Sequence, residues 1–367
     1  MHTYPNKQPG FIIYRGSQSL TRIILHNYYN MKTMYREEAI ALGMDVHDTI
    51  HSMKRRSPRH DYHKKGNYMV TLVVEGHVPL LGEMKGNADA PLDSPDAPHV
   101  EYSELGDAIL RDEIGKISQV FPQVEVWKVC IMPDHIHMII RVKDDLPARK
   151  HVGRVVAGFK HGCNKAYWRI FGMDEPPRQG LFEKGYDDKI LMHEGQLDNW
   201  KAYLDDNPRR LLLKRQHPQF FTVLSGMEVA GSSCQIVGNR FLLDIPDKMA
   251  VIVDRRNTDE ENARLRDEWL ACGERGGVLV SAAISPEEKA VLREAMSRGY
   301  RIILLRESGF PEFYKPAGEA FDACAEGLLL QISPWESHME QRTITRSQCL
   351  ELIAMAERIA GGEERTA

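Results

Sequence analysis

The spacing of apolar positions changes period repeatedly along the first 215 residues. From Asn67 the run Tyr68-Met69-Val70-Thr71-Leu72-Val73-Val74 is dense in β-branched and aromatic residues and stops at Gly76, which predicts a strand. Gly86 to Pro98 sets Asp89, Asp93 and Asp96 among prolines and reads as a loop. Leu105, Ile109, Ile117 and Phe121 recur near helical spacing behind the capping residue Ser103, predicting a helix over 102–120. Two strands follow, 126–131 and 135–142, joined tightly through Met132-Pro133-Asp134, where Asp134 reads as a turn residue. Val155, Val156, Phe159, Cys163, Ala166 and Tyr167 mark a long helix over 152–170. Residues 181–191 read as a strand region. A helix over 196–206 should halt before Pro208, because the residue preceding proline is pushed out of the helical region. Strand, helix, two strands, helix, strand and helix is the order of an α+β, ferredoxin-like antiparallel sheet with helices packed on it. Residues 1–52 show no decisive pattern and form an N-terminal extension of unassigned role.

The remainder is patterned differently. Residues 216–237 hold Gly226, Gly231, Ser232 and Ser233 and read as a linker. Beyond them short apolar runs alternate with amphipathic stretches. Strands are predicted over 249–254, 278–282, 301–306 and 328–332, and helices over 259–272, 286–298, 317–325 and 346–360. That alternation over 238–367 predicts an α/β unit with a parallel, doubly wound sheet covered on both faces. The glycine-rich phosphate cradle expected after such strands is missing, since Ser281-Ala282-Ala283-Ile284-Ser285-Pro286 stands in its place. Backbone amides over 285–287 can cap an anion, but an ordinary Ser-Pro helix start explains them better.

Composition adds a division of charge. At 42% hydrophobic and 27% charged residues the chain has ample material for cores, which excludes disorder as the default. Residues 1–220 carry 31 Lys and Arg against 28 Asp and Glu, the rest 17 against 24, so only the first part suits a polyanionic partner. Within it Lys54, Arg55, Arg56, Arg59, Lys64 and Lys65 interleave with His60, Tyr62 and His63, a composition suited to phosphate contact and base stacking or to a solvated charged segment. Six scattered cysteines fit reduced, mostly buried thiols. With no apolar run near the roughly 20 residues of a spanning helix and no apolar signal core at the start, a cytoplasmic location without membrane association is expected.

The chemistry centres on His135-Ile136-His137. Alternation along a strand puts both imidazoles on one face, a two-nitrogen platform for a divalent ion such as Mg²⁺ or Mn²⁺. Far along the chain, Tyr203 and Asn207 stand four apart and share a helical face, so a phenol and an amide oxygen can address one site. A phenol is a competent nucleophile toward a phosphodiester polarised by a cation.

Together, Pro133-Asp134-His135-Ile136-His137, Gly158-Phe159-Lys160, Leu181-Phe182-Glu183-Lys184-Gly185-Tyr186-Asp187-Asp188 and Ala202-Tyr203-Leu204-Asp205-Asp206-Asn207-Pro208 resemble the single-tyrosine HUH transposases, especially the group associated with repeated extragenic palindromes. The match in order and spacing covers about residues 60–215, within a catalytic domain set at 53–215. The resemblance implies that His135 and His137 bind the metal with Asn207 as third ligand. It further implies that Tyr203 is the nucleophile and that the substrate is single-stranded or hairpin DNA. Tyr186 is the rival nucleophile, and Lys160 either contacts DNA phosphate or solvates a helix face. The expected reaction is cleavage and strand transfer through a covalent 5′-phosphotyrosine without ATP. A domesticated housekeeping nickase and a non-cleaving hairpin-binding regulator are the alternatives, and a homodimer is left open. The segment through Val278-Leu279-Val280-Ser281, Ile302-Ile303-Leu304-Leu305 and Gly327-Leu328-Leu329-Leu330 is similar to the Rossmann-like domain of DNA-processing protein A, with its nucleotide or partner unassigned.

Overall fold

The computed structural model describes residues 60–361 apart from 92, 148–149, 174–179, 312–313 and 338–343. The N-terminal extension and Lys54, Arg55, Arg56 and Arg59 lie outside the described residues. The chain divides into two compact units, Met1–Arg209 and Arg210–Ala367.

Among the described residues the first unit is built on strands β1 (Gly66–Val73), β4 (Val124–Ile131), β5 (His135–Val142) and β6 (Asp187–Ile190), hydrogen-bonded in the order β4-β5-β1-β6 with every pair antiparallel. A separate two-stranded ribbon of β2 (Gly82–Lys85) and β3 (His99–Tyr102) flanks the expected 86–98 loop. Sequence pattern misses this ribbon because each strand is only four residues long and exposes alternate side chains.

Helices cover the sheet on both sides. The helical stretch after Ser103 runs as α1 (Glu104–Ala108), a π turn at Ile109–Glu113, and α2 (Ile114–Val120), with the Ser103 hydroxyl accepting from Gly106 N–H at its start. With α3 (Val152–Ile170) it buries Ile136, Met138, Ile140 and Val142 of β5 beneath Val155, Val156, Phe159 and Tyr167. The alternate residues of β5 face the other way. There Ile139 and Met69 pack against Trp200 and Leu204 of α4 (Gln196–Gln216) in a second, smaller core.

Helix α4 corrects one expectation, for it does not halt before Pro208 but carries the proline in its interior. The missing N–H removes one helical hydrogen bond at a cost of about 3 kcal/mol. Ahead of Pro208, Trp200 and Leu204 of the same helix are buried against Met69 and Ile139, and such packing opposes that cost.

Among the described residues the second unit contains a six-stranded sheet in the order β7 (Leu224–Val229), β8 (Ser232–Gly238), β12 (Leu329–Ser333), β11 (Arg301–Leu305), β10 (Val278–Ser281) and β9 (Lys248–Ala250). β9 to β12 are parallel and β8 and β7 are antiparallel additions, so the sheet is mixed. The stretch read as a linker thus forms an edge hairpin. Ala230 (φ 49°) and Gly231 (φ 77°) are both left-handed between paired Val229 and Ser232, the geometry of a two-residue type I′ turn, so its glycine punctuates strands rather than loosening the chain.

A doubly wound sheet requires the strand order to reverse, and here the parallel strands follow in simple succession. Leu279, Ile302 and Leu329 face a core shared with α5 (Asp259–Glu274), α6 (Pro286–Ser297) and α7 (Glu319–Ala325), through Trp269, Leu270, Val291, Leu292 and Cys324. Val278, Val280, Ile303 and Leu330 face α8 (Arg346–Ile359) on the other side, with Leu352, Met355 and Ala356. Successive crossovers of one hand stack their helices on one face. Both faces are covered, as expected, but the parallel strands contain no switch point at which a crevice opens.

Candidate active site

Strand register builds the site from the sheet outward. In the β1–β5 pair Val73 lies opposite His135 and Thr71 opposite His137, while Cys130 of β4 flanks His137 on its other side. Directly opposed residues share a face, so Thr71, Cys130, His135, His137 and Ile139 all project toward the side covered by α4. The two imidazole centroids are 4.8 Å apart and the rings are inclined at 78°.

Each imidazole is held at Nδ1. His137 Nδ1 is 2.8 Å from Thr71 Oγ1, across the strand pair. His135 faces apolar Val73, and its polar partner comes from the preceding turn, where Asp134 Oδ1 lies 2.7 Å from His135 Nδ1. Asp134 Oδ2 also meets His77 Nδ1 at 3.4 Å, and His77 Nε2 is 3.8 Å from Glu183. His77 adopts a left-handed backbone (φ 54°), uncommon for a residue with a side chain. Burial pushes the Asp134 carboxyl up, but the hydrogen bonds and charges of His135 and His77 outweigh it and hold the group below its ordinary value. Asp134 is therefore more than a turn residue.

Helix α4 brings the remaining pieces. Its apolar stripe, Trp200 and Leu204, docks on Ile139 and Met69. Lys128 of β4 forms an ion pair with Asp205 at 2.5 Å. This docking sets the Tyr203 ring centroid 5.9 Å from that of His137, edge-on at 65°. Tyr203 is 39% exposed, so its hydroxyphenyl group is open to a large substrate, whereas Asn207, one helical turn on, is 6% exposed. The Asn207 amide nitrogen is buried with no hydrogen-bond partner among the described residues. Cys130, beside His137, is desolvated, and burial pushes its thiol up to about 12, so it stays a neutral thiol near neutral pH.

The donor set fits a cation in kind. Imidazoles engaged at Nδ1 can ligate through Nε2 when the proton sits on Nδ1, and the Asn207 amide, whose oxygen and nitrogen exchange places by a flip, adds an oxygen of the kind a divalent ion takes. Among the described residues no three His, Cys, Asp or Glu side chains converge as a metal-binding group, so an amide or substrate oxygen would have to complete the set.

The other candidates lie elsewhere. Tyr186 packs against the larger core and lines a cleft of about 430 Å³ with Val156, Lys160, His161 and Asn164 of α3. Lys160 donates to the carbonyls of Glu183 (2.5 Å) and Gly185 (2.9 Å), tethering that turn to α3; burial lowers its ammonium from the ordinary lysine value, with Glu75 and Glu183 opposing the shift. Lys64 pairs with Asp145 at 2.8 Å and Lys65 with Asp144 at 3.5 Å, just beyond Val142. Seven strand steps separate Val142 from His135, roughly 24 Å, so this basic pair sits at the far end of β5 from the imidazoles.

In the second unit the anion position at the start of α6 is filled internally. The Glu288 carboxylate, 3% exposed, accepts from Ile284 N–H (2.7 Å), Ser285 N–H (3.4 Å) and Val253 N–H (3.1 Å), and Ala283 is left-handed (φ 50°) just before it. The capping reading of this turn, rather than the phosphate one, accounts for these amides.

No helix of the described residues is long and apolar enough to cross a membrane. No family model matches the sequence, and no curated protein matches it. Among solved structures the chain is similar to a REP-associated tyrosine transposase bound to a REP hairpin, at 16% identity over 42% of this chain and 72% of that one, with a TM-score of 0.26. It is also similar to a putative transposase from Deinococcus radiodurans R1, at 13% identity over 41% and 95% with a TM-score of 0.25. A third similarity is to the single-stranded-DNA-binding DNA processing protein A from Helicobacter pylori, at 19% identity over 38% and 65% with a TM-score of 0.28.

Proposed function

We propose that the first unit is a ferredoxin-like HUH domain acting as a metal-dependent single-stranded DNA endonuclease and strand-transferase, with hairpin DNA as its substrate, and that the second is a Rossmann-like accessory unit. The observation that carries this reading is the edge contact between His137 and Tyr203, residues 66 positions apart in sequence and 5.9 Å apart between ring centroids. The β4-β5-β1-β6 order supports the fold assignment.

In this reading Tyr203 Oη attacks the scissile phosphorus, the bond from phosphorus to O3′ breaks, the phenolic proton is lost, and the departing oxygen gains a proton to become a 3′-hydroxyl. The product is a 5′-phosphotyrosine that conserves the phosphodiester for rejoining, so no nucleotide triphosphate is consumed. His135 and His137 would hold Mg²⁺ or Mn²⁺ with Asn207. Bound there, the cation supplies Lewis-acid polarisation of the phosphoryl oxygens. The exposure of Tyr203 gives a polymeric substrate access, and the desolvated floor of Ile139, Met69 and Leu204 fixes the helix that carries it.

The test is incubation with Mn²⁺ or Mg²⁺ and end-labelled single-stranded hairpin DNA, followed by denaturing electrophoresis. A denaturation-resistant adduct in the wild type that is absent from Tyr203→Phe supports the assignment. An adduct that survives in Tyr203→Phe removes it.

A further inference from the structure

We infer that Asp134 and Thr71 are positioning residues that fix both site histidines in the Nδ1–H tautomer and aim both Nε2 atoms at one cation; this rests on the metal-site reading above. The two contacts are short, 2.7 Å for Asp134 Oδ1 to His135 Nδ1 and 2.8 Å for Thr71 Oγ1 to His137 Nδ1. A carboxylate can only accept, so the proton of that bond belongs to His135 Nδ1, and Nε2 carries the lone pair. A hydroxyl can either donate or accept. If Thr71 donated, His137 would carry its proton on Nε2 and could not ligate; as an acceptor it matches the tautomer that Asp134 sets.

The two partners arise differently, and this argues for a shared task. Antiparallel register puts Thr71 directly across from His137, whereas the residue across from His135 is apolar Val73. The polar partner missing across the strand is supplied by the turn, through a carboxylate that bridges to strained His77. Both imidazoles are thereby engaged at the same ring atom. Such outer partners typically contribute tenfold to a hundredfold to metal affinity.

Two measurements test the inference without DNA. Nitrogen-15 NMR of the metal-free protein should show Nδ1–H, with unprotonated Nε2, for the neutral forms of His135 and His137; Nε2–H at either overturns it. Mn²⁺ titration should show binding in the wild type that His135→Ala abolishes. It should weaken by about tenfold to a hundredfold in Asp134→Asn and in Thr71→Val, and recover in Thr71→Ser. Unchanged Mn²⁺ affinity in Asp134→Asn and Thr71→Val, with His135→Ala still abolishing binding, refutes the positioning role alone. Mn²⁺ binding that ignores His135→Ala refutes the metal site and this inference together. Should either variant fail to fold, the tautomers of the wild type still decide.

Discussion

The phenol of Tyr203 and the imidazole of His137 meet edge-on across the seam between α4 and the sheet, 5.9 Å between centroids. Tyr186 instead lines a cleft on α3. Tyr203→Phe is therefore expected to lower covalent adduct formation by at least a thousandfold while Tyr186→Phe stays within severalfold of wild type, measured as adduct yield on labelled hairpin DNA. The reverse ranking would move the nucleophile.

Leu204 fixes that seam, since it is 2% exposed and packs with Trp200 against Ile139 and Met69. Leu204→Ala should cost about 2–5 kcal/mol in urea unfolding. Adduct yield should fall as well, because the cavity loosens the helix under its neighbour Tyr203. Asp205→Ala removes an ion pair whose carboxylate is largely exposed, and should change stability by about 1 kcal/mol or less.

The buried Glu288 carboxylate gathers three backbone N–H groups from two segments of the second unit. Glu288→Ala leaves them unpaired and should destabilise that unit by about 3 kcal/mol or more, read by thermal or urea unfolding. Added formate should recover part of the loss in a saturable manner in the variant and have no such effect on the wild type. Equal formate responses in both would argue against an internal anion.

At high pH the first unit should weaken. Tyr68 is fully buried, its hydroxyl 2.8 Å from His60 Nε2, and burial pushes it from 10.0 to about 12. A raised folded value gives stability that is complete below pH 10 and lost as pH rises toward 12, amounting to about 2–3 kcal/mol. Phenolate absorbance should show this tyrosine ionising late and together with unfolding, a step absent in Tyr68→Phe.

Much of this architecture is written in local pattern. The bounds of α3 and β5 follow from apolar periodicity, and the alternation of His135, Ile136 and His137 already puts two imidazoles on one face. What local pattern omits is register. Nothing near Thr71 in sequence announces that it opposes His137, and Asp134 looks like turn chemistry until its carboxylate is seen on two imidazoles. Punctuation misleads in the same way. Pro208 reads as a helix stop and Gly231 as slack chain, yet tertiary packing carries α4 through the proline and a hairpin turn uses the glycine.

Pinning an imidazole at one nitrogen also removes its freedom to rotate. Ordering a side chain on binding costs about 0.5–1.5 kcal/mol. For His135 and His137 that loss is met when the strands pair and the 132–134 turn closes, before any ligand arrives. A cation taken up between them would find two donors already still. Its affinity would then reflect bond formation and dehydration, with little drawn off to quiet the protein.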